Sequence, residues 1–199
     1  MPKTLTIIRH APTEYNLKGI FMGTKDIPVT YFDETIFAKI RENEYVCAAS
    51  FLYTSPLLRA YDTARTIANG AKTIAEDNRL IERCLGEWQG VPKELVQAQY
   101  PDGFINGKMD FYFTPPGGED YETLVLRVAS FITERCMEND NLVIVTHNGV
   151  FRVMKSLLTG QKLSDVFSEF EPYLTPQTFV ITSELINTIS QDPFYTVDI

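Results

Sequence analysis

The chain contains two histidines, and each follows directly after a short apolar segment. His10 follows residues 4–8 and stands beside Arg9, while His147 follows residues 142–146. A neutral imidazole is a nucleophile, and the planar guanidinium of arginine binds two oxygens of an anion at once. Taken alone, an Arg-His pair is more often a solvated surface feature, so the placement of both histidines in the fold decides whether they act together.

Both apolar segments have the length and the β-branched composition of buried strands. The carboxyl ends of parallel strands meet at one edge of a sheet, and open α/β sheets bind their ligands at that edge. We therefore expect His10 and His147 to lie close together, although they are far apart in the sequence. Polar side chains at residues 9–16 are suited to holding an anion there.

The remaining chain alternates between strand and helix patterns. Further strands are predicted at residues 50–54, 72–75, 179–182 and 195–199, the last at an edge of the sheet. Helices are predicted at residues 32–43, 55–68, 92–99 and 149–158, and around the apolar stripe of Leu124, Val128, Phe131 and Ile132. Ser55 is predicted to cap the second of these helices, with Pro56 in its first turn. The alternation predicts an α/β fold, a three-layer sandwich whose mostly parallel central sheet is flanked by helices on both faces.

Composition limits the function classes. A chain of 199 residues favours a single domain over residues 1–199, and a net charge of −8 disfavours binding to nucleic acid or to an anionic membrane. No segment is apolar for long enough to span a bilayer or to form the core of a signal peptide, so we expect a cytoplasmic protein. Cys47, Cys84 and Cys136 are widely spaced, which indicates reduced thiols and no structural metal site.

Two long segments are expected to be irregular. Residues 11–31 contain Pro12, Gly19, Gly23 and Pro28 and are predicted to form a loop. Residues 101–119 are rich in Gly, Pro and aromatic residues, which is typical of a surface excursion or a lid. Its aromatic residues either cap an apolar leaving group or simply pack against the protein; they are Phe104, Phe111, Tyr112 and Phe113.

Five segments, in order along nearly the whole chain, resemble the motifs of the histidine phosphatase superfamily, in its phosphoglycerate mutase-like branch. They are R-H-A-P-T-E-Y-N at residues 9–16, S-P-L-L-R-A at 55–60, L-I-E at 80–82 with G-E-W-Q-G at 86–90, P-G-G-E at 116–119, and V-I-V-T-H-N-G-V at 143–150. The family pattern differs at Ala11, Pro12, Tyr15, Asp120 and Asn148, and residues 30–36 lack its P-L-T-x-x-G segment. Because the pattern has glycine at positions 11 and 148, the backbone geometry at Ala11 and Asn148 is in question.

The resemblance implies a role for each matching residue. His10 would be the nucleophile that forms a phosphohistidine, while Arg9, Arg59 and His147 would surround the phosphoryl oxygens and Asn16 would add a neutral donor. A cationic His147 would also complement the charge that develops in catalysis. Glu82 would be the general acid, with Glu87 as a less favoured rival, and Glu119 would contact the substrate. No metal and no cofactor are implied.

Three functions remain open under this resemblance. The first is a phosphatase that hydrolyses a small organic phosphate monoester, and the second is a phosphoglycerate mutase that returns the phosphoryl group to the substrate. The third is an inactive regulatory module on the same fold. The family implies sugar phosphates, phosphoglycerates, α-ribazole phosphate and protein phosphohistidine as candidate substrates, and the sequence does not choose among them. It also leaves the oligomeric state open.

Overall fold

A five-stranded, mostly parallel sheet forms the centre of the protein. The structure, a computed structural model, describes residues 3–30 and 32–197. Its strands are β1 (Lys3–Arg9), β2 (Phe51–Thr54), β3 (Thr73–Glu76), β4 (Phe104–Ile105), β5 (Lys108–Met109), β6 (Asn141–Thr146) and β7 (Gln177–Ile181). The strand order is β3-β2-β6-β1-β7, in which β7 alone is antiparallel to its neighbour, and β4 and β5 form a separate hairpin. The predicted α/β class with a mostly parallel sheet is confirmed.

Helices cover both faces of this sheet. They are α1 (Glu14–Leu17), α2 (Glu34–Glu42), α3 (Glu44–Ala48), α4 (Leu58–Ala68), α5 (Lys93–Gln99), α6 (Tyr121–Glu138), α7 (Asn148–Thr159), α8 (Leu163–Ser168) and α9 (Ser183–Gln191). Side chains of β6 alternate between two cores, because successive residues of a strand point to opposite faces. Leu142 and Ile144 pack in the core beneath α6, α7 and α9, whereas Val143 and Val145 pack beneath α2, α3 and α4. None of the described helices is long and apolar enough to cross a bilayer.

The pairing of β1 with β6 places the two histidines side by side. The two strands are parallel, with Arg9 opposite Thr146. One residue further, the backbone N–H of His10 donates to the Thr146 carbonyl oxygen at 3.0 Å. His10 and His147 therefore leave the sheet at the same edge, as the two apolar segments predicted.

Several element boundaries differ from the sequence predictions. Helix α4 begins at Leu58, and the Ser55 hydroxyl accepts from the Leu57 N–H instead of capping the helix. The N–H of Leu58 donates to a carboxylate oxygen of Asp26 at 2.7 Å, so a distant loop satisfies the helix end. Residues 195–197 form no strand, and residues 198–199 of that predicted strand lie outside the described part of the chain.

Four short helices were not predicted. Helix α1 interrupts the predicted loop, and α3, α8 and α9 lie in segments without a predicted helix. Their buried faces are small, as α9 buries only Ile186 and Ile189 and α3 buries only Val46. A stripe of one or two apolar residues gives no helical periodicity, and tertiary packing determines such elements.

A small aromatic core holds residues 101–119 against the protein. Trp88 stacks on Phe113 and Phe104, with ring centroids 5.4 and 5.6 Å apart. Gly86 has φ 51°, and a β-carbon there would lie 2.0 Å from the Pro116 carbonyl oxygen. Two segments that match the family motifs therefore meet backbone to backbone, which only glycine permits at this position.

Candidate active site

His10 lies at the carboxyl edge of the sheet as a buried imidazole. Its side chain is 2% exposed, and its ring centroid lies 5.2 Å from that of His147. Nδ1 lies 2.7 Å from the Ala11 carbonyl oxygen. A carbonyl only accepts, so Nδ1 carries the proton and the lone pair is on Nε2. Burial lowers the pKa of His10 well below its usual value, and the nearby cation of Arg59 lowers it further.

Arg59 is fixed by three hydrogen bonds. The residue is fully buried, and its Nη1 and Nη2 donate to the carbonyl oxygens of Lys25 and Gly23 at 2.8 and 2.7 Å. Its Nε donates to Nδ1 of His147 at 3.1 Å. Burial lowers the pKa of Arg59 to about 10, which leaves the guanidinium charged at neutral pH. The guanidinium thereby sets the orientation of the His147 ring.

His147 is a neutral donor in this arrangement. Because Nδ1 accepts from Arg59, the proton of the ring lies on Nε2. Nε2 is buried and has no hydrogen-bond partner among the described residues. Burial, followed by the charge of Arg59, lowers the pKa of His147 well below its usual value. The cationic His147 expected from the sequence is therefore disfavoured, whereas the N–H at Nε2 is available to donate to an acceptor.

Arg9 is held by a segment that follows α8. Its Nη1 donates to the Glu171 carbonyl oxygen at 2.7 Å, and its Nη2 donates to the Tyr173 hydroxyl at 2.8 Å. Its Nε is buried without a partner in the described part of the chain. An unpaired buried donor is costly, which makes this N–H suited to an anion that enters from outside.

Glu82 reaches the same site from the segment after β3. Its Oε2 accepts from the Gly149 N–H at 3.2 Å, and its Oε1 accepts from the Arg83 N–H at 2.9 Å. A β-carbon at Gly149 would lie 2.5 Å from Oε1, so the glycine leaves space for this carboxylate. Glu87, its rival in the sequence, accepts from the exposed hydroxyl of Tyr100 and does not line the cavity.

The two remaining predicted residues differ in position. Asn16 lines the cavity, and its Oδ1 accepts from the N–H of Thr13 at 3.0 Å in the capping box of α1. Glu119 is not among the lining residues. Its two carboxylate oxygens pair with Nε and Nη2 of Arg127 at 2.7 and 3.0 Å. The structure therefore places Glu119 in a pair with Arg127, outside the cavity lining, and its contact with substrate stays a prediction.

The two unusual residues of the motifs fit the backbone. Ala11 is fully buried, its N–H donates to the Thr63 hydroxyl at 3.0 Å, and it lacks a positive φ. Asn148 is the first residue of α7 and also lacks a positive φ. Neither position therefore requires the backbone freedom of glycine.

Of these residues, Arg9, His10, Asn16, Arg59, Glu82 and Asn148 line a cavity of about 660 Å³. The buried ring of His147 lies against His10 and is not part of this lining. The basic side chains of the cavity outnumber its carboxylates, and they belong to Arg9, Arg59, Arg83, Lys93, Lys108 and Arg152. Residues 104–111 form part of one wall. No group of three or more His, Cys, Asp or Glu side chains within the described ranges is arranged to hold a metal ion. The arrangement suits a small organic anion.

A family model for the histidine phosphatase superfamily, branch 1, matches residues 5–175. The chain belongs to the histidine phosphatase superfamily. Phosphoserine phosphatase 1 of Hydrogenobacter thermophilus is 30% identical over 175 residues, which cover 82% of this chain and 80% of the relative. A 2,3-bisphosphoglycerate-dependent phosphoglycerate mutase of Rhizobium etli is 28% identical over 193 residues, with 92% of both chains covered.

Solved structures show the same fold as this histidine phosphatase. The α-ribazole phosphatase of Shigella flexneri superposes with a TM-score of 0.76 over 91% of this chain and 92% of its own, at 19% identity. At that identity the likeness establishes the fold alone. The relatives that are named phosphatases support a phosphatase enzyme.

Several polar residues of this cavity were missed by sequence reasoning, among them Arg152, Lys93 and Tyr173. Arg152 lies one turn along α7 from Asn148, so helical spacing from the His147 motif could have found it. Lys93 opens α5 just after the G-E-W-Q-G segment. Tyr173 lies in an irregular segment between α8 and β7, where no sequence pattern marks it.

Proposed function

We propose that this protein is a phosphatase that hydrolyses a small organic phosphate monoester through a phosphohistidine at His10. The observation that carries the proposal is that a nucleophilic ring nitrogen with a free lone pair lies in the same site as buried N–H donors that have no acceptor in the described chain. Nε2 of His10 is available for attack, while Nε2 of His147 and Nε of Arg9 are buried without partners in the described chain. A phosphoryl group would supply the phosphorus atom that the nucleophile attacks and the oxygens that accept hydrogen bonds from these donors.

In the first step, Nε2 of His10 attacks phosphorus and the bond from phosphorus to the leaving oxygen breaks. Protonated Glu82 donates its proton to that oxygen, which leaves as an alcohol. The carboxylate of Glu82 lies at the N-terminus of α7 and accepts from the Gly149 N–H. This contact keeps the carboxylate at the cavity wall after Glu82 has lost its proton.

In the second step, water attacks phosphorus and the bond to Nε2 of His10 breaks. The carboxylate of Glu82 takes a proton from the attacking water, so the acid is regenerated as phosphate leaves. The guanidinium groups of Arg9 and Arg59 remain charged throughout, and they stabilise the negative oxygens in both steps.

The same cavity supports a substrate with a second negatively charged group. Although Lys93 is exposed, partial desolvation lowers the pKa of its ammonium, and the neighbouring cations of Arg9 and Arg152 lower it further. Nη2 of Arg152 donates to the Glu169 carbonyl oxygen, and its Nε is buried without a partner in the described ranges. A carboxylate or second phosphate beside these cations would relieve their mutual repulsion. One relative is named for phosphoserine, which carries a carboxylate besides its phosphate.

A matched pair of substrates tests the second charge. Phosphoserine and phosphoethanolamine differ by the carboxylate alone, and we expect the wild type to favour phosphoserine in kcat/KM. Lys93→Met should remove most of that preference, whereas Lys39→Met, which changes an exposed lysine of α2, should retain it. Equal activity of the wild type on both esters would contradict a second anionic group.

A mutase remains the second candidate because several relatives are named 2,3-bisphosphoglycerate-dependent mutases, and the match to the one of Rhizobium etli covers 92% of this chain. We expect free phosphate to appear in step with substrate consumption, and we expect no activation by 2,3-bisphosphoglycerate. Efficient interconversion of 3- and 2-phosphoglycerate with negligible phosphate release would overturn the phosphatase. A panel of candidate phosphate esters without any turnover would favour the inactive module. Opening of residues 101–119 as a lid and a cytoplasmic location stay predictions.

A further inference from the structure

Residues 171–174 contact Arg9 through three hydrogen bonds, and the mechanism above does not require this segment. Nη1 and Nη2 of Arg9 donate to Glu171 and Tyr173, and the Leu174 N–H donates to the Arg9 carbonyl oxygen at 3.0 Å. Leu174 has φ 54°, a left-handed conformation that a β-carbon disfavours. Such a conformation persists only where the surrounding contacts enforce it, so the position of this segment is tightly determined.

The segment also presents one side chain to the reacting groups. The ring of Tyr173 lies under the Arg9 guanidinium, with its centroid 3.8 Å from Cζ, and it meets the His10 ring edge-on at 6.0 Å. Tyr173 lines the cavity together with both of these residues. The group that fixes its hydroxyl is therefore the arginine that is proposed to bind phosphate.

The Tyr173 hydroxyl can still donate a hydrogen bond. A phenol accepts through its lone pairs and donates one O–H. Oη of Tyr173 accepts from Arg9 at 2.8 Å, and its own hydrogen has no acceptor among the described residues. Burial raises the pKa of the Tyr173 phenol, so the group remains a donor at neutral pH.

We propose that the Tyr173 hydroxyl donates a hydrogen bond directly to the phosphoryl group bound between Arg9 and His10. This inference rests on the proposed function for the location of the phosphoryl group. It adds a neutral donor on the Arg9 side of the group. Donors that are already oriented stabilise developing negative charge without reorganisation.

Phosphate binding to the intact protein tests this contact without turnover. Tyr173→Phe removes the hydroxyl and keeps the ring beneath Arg9. We expect the dissociation constant of inorganic phosphate, measured by isothermal titration calorimetry, to rise about tenfold, as for the loss of one charge-assisted hydrogen bond. Tyr61→Phe changes a tyrosine of α4 outside the cavity and should leave the constant unchanged. An unchanged constant in Tyr173→Phe would overturn the proposal.

A second background separates direct contact from positioning of Arg9. If Tyr173 acts only through Arg9, the effect of Tyr173→Phe disappears when Arg9 is replaced by methionine. Direct contact predicts that phosphate binding still weakens several-fold between Arg9→Met and the double variant. A wild type that binds phosphate but turns over no ester would refute the proposed function, and the Tyr173 comparison would still decide the contact. A wild type that does not bind phosphate would refute both.

Discussion

Replacing Gly149 with alanine should separate catalysis from stability. Gly149 is the second residue of α7, and its N–H donates to Oε2 of Glu82 at 3.2 Å. An added β-carbon would lie 2.5 Å from Oε1 of the same carboxylate. Ordinary contact begins at 3.4 Å, so the carboxylate must retreat by about 0.9 Å, the difference between 3.4 and 2.5. The retreating atom is the end of a flexible side chain, and the fold is not forced to move.

The expected magnitudes follow from this displacement. A misplacement of about 1 Å costs on the order of 10²-fold in rate when the displaced group takes part in the chemistry. Alanine favours the helix by up to about 1 kcal/mol over glycine, and the weakened hydrogen bond to Glu82 costs about 1 kcal/mol. We therefore expect Gly149→Ala to lose about 10²-fold in kcat on an alkyl phosphate. Its free energy of unfolding should change by less than about 1 kcal/mol.

A double-mutant cycle identifies the cause of the loss. The rates of wild type, Gly149→Ala, Glu82→Gln and the double variant are measured on one alkyl phosphate, and urea unfolding gives the stabilities. If the methyl group acts through Glu82, Gly149→Ala has little further effect once Glu82 is glutamine. An undiminished rate in Gly149→Ala would refute the reasoning, as would a full additional loss in the Glu82→Gln background. Phosphate affinity, measured in parallel, shows whether the methyl group blocks the cavity instead.

Three further expectations concern the acid, the histidines and metal. Glu82→Gln should slow the hydrolysis of alkyl phosphates far more than that of p-nitrophenyl phosphate, whose phenolate leaves without a proton; equal losses would indicate a structural role. Arg59→Met should raise the pKa values of His10 and His147, since its charge is the leading electrostatic cause that lowers both. The imidazole NMR signals of the two histidines report this directly. Because the pKa of His10 is held well below its usual value in the wild type, we expect the decline of kcat/KM on acidification to move to higher pH in Arg59→Met. Activity should survive exhaustive chelation, and a loss restored only by a divalent ion would contradict the mechanism.

The strand ends were predictable from the sequence for a simple physical reason. Strands β1 and β6 are buried on both faces, so their sequences are largely apolar and rich in β-branched residues, and the polar residues that end them stand out. Their parallel pairing follows from the alternation of strands with helices. The amino-acid sequence alone therefore suffices to place His10, Arg9 and His147 at one edge of the sheet.

Contacts made by irregular segments could not be predicted in the same way. Tyr173 reaches the cavity from an irregular segment in which the next residue, Leu174, is left-handed, and no periodicity encodes that turn. Glu119 matched a family motif, yet Arg127 on α6 pairs with both of its carboxylate oxygens. The acceptor at the start of α4 comes from Asp26, which is distant in the sequence, so local capping rules pointed to Ser55 instead.

Trapping of the covalent intermediate tests the central claim most directly. The enzyme is mixed with a ³²P-labelled substrate, quenched in base within the first turnover, and digested for mass spectrometry. Because Nδ1 of His10 is occupied by the Ala11 carbonyl oxygen, we predict an acid-labile, base-stable phosphoryl group on Nε2 of His10. It should be absent from His10→Ala, which we expect to fold and to be inactive. A phosphoryl group on His147, or turnover by His10→Ala at the wild-type rate, would contradict the account.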